Sequence, residues 1–142
     1  MAVEWQDWEL ALLGSEPVAR LGTITADGRP HLVPVCFVLH DDALFIAVDE
    51  KPKRDANLAR LRNIERDSRA TLLVDHYEAD WTRLAWVRVE GRAEVLARGD
   101  LAPAVLAALR DRYRPYREMS LESLPLIRLN PERVVSWRSS VS

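Results

Sequence analysis

The sequence predicts a mainly β protein: an antiparallel barrel of six or seven strands with peripheral helices. Three observations lead there. Short β-branched or apolar runs recur at hairpin spacing. One run, residues 84–95, alternates with a period of two along most of its length. Several runs are apolar at almost every position, which would leave costly edges unless the sheet closes on itself. The length, 142 residues, fits one domain over 1–142, with an N-terminal helix over 3–14 and the barrel over 17–138.

The elements follow in order. Val3, Trp5, Trp8, Leu12 and Leu13 gather on one face of a helix that Gly14 is placed to stop. Residues 18–25 form a first strand. Asp27-Gly28 is a strong hairpin signal, because glycine supplies the positive φ that such turns need. Residues 31–39 read as one apolar strand covered on both faces, with Pro34 marking an edge or a bulge. His40-Asp41-Asp42 is a second tight connection into the apolar strand 43–48.

A polar stretch, 49–55, then leads into a short helix. Asp55 is its candidate N-cap, Leu58, Leu61 and Ile64 are its buried stripe, and its other face is basic. Residues 70–77 return to strand. In the 84–95 strand, Ala85, Val87, Val89, Gly91, Ala93 and Val95 take one face, and Trp86, Arg88, Glu90, Arg92 and Glu94 the other. A helix over 101–112 follows, capped by Asp100. Two closing strands, 126–129 and 133–137, flank Asn130-Pro131.

Composition excludes several classes. A net charge of -2 argues against a general nucleic-acid binder, which needs a basic face. No run approaches the ~20 apolar residues of a membrane helix. A single cysteine, Cys36, precludes an intrachain disulfide. The N-terminal residues lack the basic-then-apolar pattern of a secretion signal, so the expected location is the cytoplasm. Arginine supplies 18 of the 20 basic residues, which genome composition explains. Glycine motifs for dinucleotides or nucleotide phosphates are missing, as is a serine nucleophile elbow. His31, His40 and His76 lack metal-ligand spacing, so no metal is expected. Without a catalytic constellation, an enzyme of this kind would rely on a bound cofactor for the hard step.

Three candidate sites remain. Lys51, Lys53 and Arg54, where strand gives way to helix, suit a phosphate, although the three acids of 49–55 cancel their charge and a solvated turn is the simpler reading from composition. Trp81 and Trp86 form the second. Trp86 shares a face with charges, so it either covers a planar ligand or fills a dimer interface. His31, which starts a strand, is the third, as a substrate or ring contact.

These stretches carry a resemblance. They are Leu21-Gly22-Thr23-Ile24, the run from Asp27 to Val35, the run from Ala47 to Arg54, Leu61-Arg62-Asn63-Ile64, the run from Ala70 to Tyr77, Asp80-Trp81 and Trp86-Val87-Arg88. In this order and spacing, over about 15–138, the chain resembles the pyridoxamine-phosphate-oxidase-like proteins of the FMN-binding split-barrel type. Within them it looks like the branch that uses the deazaflavin coenzyme F-420. The resemblance implies a homodimer with cofactor sites at the subunit interface and a small-molecule substrate. It implies that Lys51, Lys53 and Arg54 approach the cofactor phosphate and that Arg62 and Asn63 support that region. Val35, Cys36, Phe37, Ala47, Val48 and Asp49 would line the ring, and Trp81 and Trp86 would come from the other subunit. The implied reaction is hydride transfer from reduced F-420 to an unsaturated organic acceptor, with no proton donor assignable. FMN on the same barrel is the alternative cofactor. A protein that holds F-420, flavin or haem without turnover, and a plain dimeric interaction module, are the non-enzymatic alternatives.

Overall fold

A computed structural model describes residues 3–48, 54–96 and 102–140, with the backbone alone for 54–58. Helix α1 is Asp7–Ser15, α2 is Arg54–Arg66 and α3 is Pro103–Arg112. The strands are β1 Ala19–Ile24, β2 Pro30–Val35, β3 Phe37–His40, β4 Ala43–Ala47, β5 Arg69–His76, β6 Ala85–Leu96 and β7 Leu126–Arg138. They form one antiparallel sheet in the order β2-β1-β5-β6-β7-β4-β3. The two outermost strands, β2 and β3, are consecutive in the chain, with only Cys36 between them. The sheet therefore curls until its edges meet, which is the split-barrel architecture that the sequence predicts.

Turn chemistry sets the hairpins. In the β1–β2 connection the Gly28 N–H donates to the Thr25 carbonyl at 3.0 Å, and Gly28 has φ +83°. This is a tight turn followed by a left-handed residue, the role that Asp-Gly foretells. Asp41 and Asp42 both take positive φ, 48° and 62°, giving the two-residue turn between β3 and β4 that matches strand twist.

The inner face of the curl holds Leu21, Leu44, Ile46, Leu72, Val74, Val87, Val89, Ile127 and Leu129, packed against Leu13 of α1 and Ile64 of α2. A second apolar layer lies outside the sheet, where Ala43, Phe45 and Ala47 of β4 and Leu126 of β7 meet Val105, Leu106 and Leu109 of α3. β4 is thus buried on both faces.

Several boundaries and burials differ from the sequence reading, each for a local reason. α1 begins at Asp7 rather than residue 3 and runs past Gly14. Glu9 reaches back to accept the Gln6 N–H at 2.8 Å, and that bond fixes the helix start. α2 begins at Arg54, so Asp55 lies within the helix rather than capping it. α3 starts at Pro103 after Ala102, while Asp100 lies outside the described residues. The 31–39 run is two strands broken at Cys36. Its first half is an edge that exposes Pro30, Leu32 and Pro34, so it is not covered on both faces.

The two closing strands are one. β7 carries a bulge where Glu90 pairs with Arg133 but Gly91 pairs with Pro131, leaving Glu132 as the extra residue. The bulge reverses the alternation of β7. Arg128 and Asn130 share the outer face before it, and Arg133, Val135 and Trp137 share that face after it. Gly91 makes the bulge possible, because a Cβ there would lie 2.0 Å from the Asn130 carbonyl oxygen.

Candidate functional site

The corner where the sheet edges meet is held by side chains from α3 and the residue after it. Tyr113 Oη accepts the Phe37 N–H at 3.0 Å and lies 2.8 Å from the Phe37 carbonyl oxygen. The Arg112 guanidinium donates to the carbonyls of Phe37 (3.0 Å), Leu13 (2.6 Å) and Glu16 (2.7 Å), and stacks 4.6 Å from the Phe37 ring centre. These contacts satisfy backbone groups of β3 and carbonyls at the C-terminal end of α1. Burial pushes the Tyr113 phenol up, against the Phe37 backbone bond that lowers it, so the hydroxyl stays protonated.

Beside this corner lies a cavity of about 150 Å³, lined by Val18, Pro34, Val35, Cys36, Ala47, Arg60 and Tyr116. Three residues that the resemblance assigns to the ring, Val35, Cys36 and Ala47, meet here. Phe37 and Val48 do not line it, because both side chains pack in the inner core. Arg60 is the finding that the sequence reading missed. It is only 9 % exposed, although the helix was read with its basic residues outside. Its position four residues before Ile64 on the packed side of α2 is the signal that could have found it.

A second cavity, about 570 Å³, opens on the outer face of β1, β2, β5 and β6. Its walls include Arg20, Leu32, Leu73, Tyr77, Trp86 and Arg88. Directly paired residues share a face, so Trp137, Trp86 and Asp75 form one row across the sheet, and Val135, Arg88, Leu73, Arg20 and Pro34 the next. Arg20 binds Asp75 at 2.9 Å, and Arg88 binds Glu90 at 2.8 Å while lying 5.4 Å over the Trp86 ring. Leu32 is 70 % exposed, and Tyr77, Trp81 and Trp137 are also exposed. The two cavities adjoin. Pro34 lines the first and Leu32, two positions away on β2, lines the second; Val18, just before β1, and Arg20 on β1 are related in the same way.

The remaining predicted residues are dispersed. Asn63 is buried and turned into the barrel end, where its amide donates to Thr23 Oγ1 (3.2 Å) and its carbonyl accepts from Arg66 (2.9 Å). It fixes α2 to β1. Arg62 is exposed. His31 pairs with Thr23 across the hairpin, half-buried, with its Nδ1 buried and not hydrogen-bonded, and lines neither cavity. Asp49, Lys51 and Lys53, and the side chain of Arg54, lie outside the described residues.

His76, at the end of β5, is held between two carboxylates: Nδ1 lies 2.9 Å from Glu16, and Nε2 contacts Glu78. Hydrogen bonding to Glu78 first and Glu16 second raises the imidazole above its ordinary value. The bridge ties the α1–β1 connection to the segment leading to Trp81. Among the described residues no cluster could hold a metal ion, and no helix is long and apolar enough to cross a membrane.

Comparison with known proteins gives these sites a context. The family described as Pyridoxamine 5'-phosphate oxidase matches residues 9–138. A 5a,11a-dehydrotetracycline/5a,11a-dehydrooxytetracycline reductase of Streptomyces rimosus is 29% identical over 131 residues, covering 91% of this chain and 80% of that protein. A haem storage protein of Vibrio cholerae superposes with a TM-score of 0.70 at 18% identity, covering 96% of this chain and 95% of its own. An FAD-binding protein of Mesorhizobium loti superposes with a TM-score of 0.62 at 21% identity, covering 93% and 94%.

Proposed function

Because the chain belongs to the pyridoxamine 5'-phosphate oxidase family, we propose that it is an oxidoreductase that binds a flavin-type cofactor, and specifically that it moves hydride from reduced coenzyme F-420 to an unsaturated organic acceptor. The observation that carries this reading is the adjoining pair of cavities: a small one with a buried arginine at the corner of the sheet, and a larger, aromatic-walled one beside it. A reductase relative supports the reaction class, and the resemblance in the segments around Ala47–Arg54 and Trp81–Arg88 supports the deazaflavin.

The residues present fit such a group. At about 150 Å³ the corner cavity is well below a whole ligand site and suits one edge of a tricyclic ring, whose body would extend along the outer groove. A deazaflavin, when bound, supplies a carbon hydride donor in place of the flavin nitrogen. Val35, Cys36 and Ala47 would pack the ring edge and exclude water from it. The basic residues of 51–54 would hold the phosphate. Trp86 and Arg88 would form the wall against which donor and acceptor are aligned. We also propose a homodimer through the outer face of β1, β2, β5, β6 and the end of β7. A second copy would cover Leu32, Trp86 and Trp137 and close the larger cavity, completing the site from two subunits.

Titration of the purified protein with F-420 and with FMN, read by fluorescence, tests the cofactor. Tight F-420 binding with weak FMN binding, followed by substrate reduction by reduced F-420, is the expected result. Preference for FMN would move the protein to flavin chemistry. Binding without turnover would make it a cofactor carrier, and binding of neither would end the oxidoreductase reading.

A further inference from the structure

We propose that His76 is a protonation-dependent clamp: as the imidazolium it fastens the connection 77–83 to the one between α1 and β1, and as the neutral ring it releases it. The pairing itself requires the charge. Nδ1 lies 2.9 Å from Glu16, and Nε2 contacts Glu78. A carboxylate only accepts, so two such partners need two ring N–H groups, and only the protonated imidazole carries both. A neutral ring turns a lone pair toward one carboxylate, and that contact must part. The hydrogen bonds to Glu78 and Glu16 also raise the imidazole above its ordinary value, so the release falls on the alkaline side of it.

Which contact parts follows from what holds each carboxylate. The backbone of Glu16 is anchored: its N–H donates to the Leu12 carbonyl at 3.0 Å, and its carbonyl accepts from Arg112 at 2.7 Å. Glu78 sits in 77–80, which lies in no helix or strand, and Arg83 Nε is 3.6 Å from the carboxylate oxygen that meets His76. Glu78 thus has a second partner to turn to, and its side is the one released. Among the described residues the other charged groups around the ring are engaged elsewhere. Asp75 binds Arg20, Asp80 accepts from Thr82, and Glu9 of α1 is held by Ser136 and Gln6. Arg112 serves backbone carbonyls, and Arg138, in the row of His76 through Ala85, lies 5.0 Å over the Trp8 ring. The released connection carries Tyr77, a wall of the larger cavity, and the exposed Trp81. Protonation therefore fixes one edge of that cavity. The clamp stands without the function proposed above, which bears only on what the cavity holds.

Hydrogen exchange of the peptide 77–84, read by mass spectrometry from about pH 5.5 to about pH 9 and corrected for the intrinsic rate, tests the clamp without any ligand. In the native protein protection is expected to fall about three- to fivefold across the titration, the scale of a partly exposed ion pair. His76→Gln should be flat at the lower level. Glu78→Gln should be flat at the higher level, because its amide accepts from a ring N–H and donates to a ring lone pair, so the contact survives in both states. Both variants should keep the native circular-dichroism spectrum. A native profile without the step, a Glu78→Gln profile that keeps the step or is low at every pH, or an equal step in the peptides of β6 would overturn the clamp. If the native protein binds no cofactor at all, the oxidoreductase reading fails, while the exchange profile still decides the clamp.

Discussion

One sheet presents two different outer faces. Over β4 and the start of β7, Phe45, Ala47 and Leu126 lie beneath α3 and the turns after it, and they are buried. Over β2, β1, β5, β6 and the end of β7, Leu32, Leu73, Trp86 and Trp137 lie beneath no helix among the described residues, in rows with Arg20, Asp75, Arg88 and Glu90. The covered half reads as core. The bare half mixes aromatic rings with paired charges, and it is the face that the dimer proposed above would cover. The bulge at Glu132 lies between the halves. It turns Val135 and Trp137 outward where strict alternation would have buried them.

The largest expected effect tests that boundary. Gly91→Ala sets a Cβ against the Asn130 carbonyl and should cost about 3 kcal/mol or more, as forced overpacking does at its upper end. A melting curve close to native would show that the bulge relaxes freely. Next, Leu109→Ala removes a fully buried side chain from the covered half and should cost about 2–5 kcal/mol by denaturant unfolding. Leu32→Glu on the bare half should change the stability of the isolated chain by only about 0.5 kcal/mol, since the site is exposed. For the dimer proposed above through this face, the same change should shift dimer to monomer in sedimentation. A variant that stayed dimeric would remove this face from the interface.

The smallest effect concerns the His76 bridge. Its pKa is raised in the folded chain, so the bridge's contribution is full below about 6.5, the unfolded value, and fades as pH rises through the folded value. Stability should therefore fall across that window in the native protein and stay flat in His76→Gln. Parallel pH profiles in the two proteins would show that the imidazole does not report on folding.

Much of this was legible in the residues. The β6 alternation from Ala85 to Val95 matches its buried and outer faces, and Asp27-Gly28 marks the β1–β2 turn correctly. Pro34 marks an edge, yet the apolar run around it hid the break at Cys36, because an edge strand that curls over a core keeps apolar residues. Asn130-Pro131 reads as a gap between strands because a bulge and a turn use the same residue types. Arg60 was missed for a different reason: charge predicts exposure on average, and that rule outweighed its i, i+4 spacing to Ile64.

Cys36 joins the first and last strands of the ladder order, so it acts as a one-residue tether across the seam. The hairpins β1–β2 and β3–β4 are local, but Leu44 must find Leu129 far along the chain. Loop-closure entropy makes such long-range pairing slow. A flexible insertion after Cys36 would leave every ladder bond available while cutting the seam's tether. The change in refolding rate would then measure how much of the barrel's curvature the backbone itself imposes.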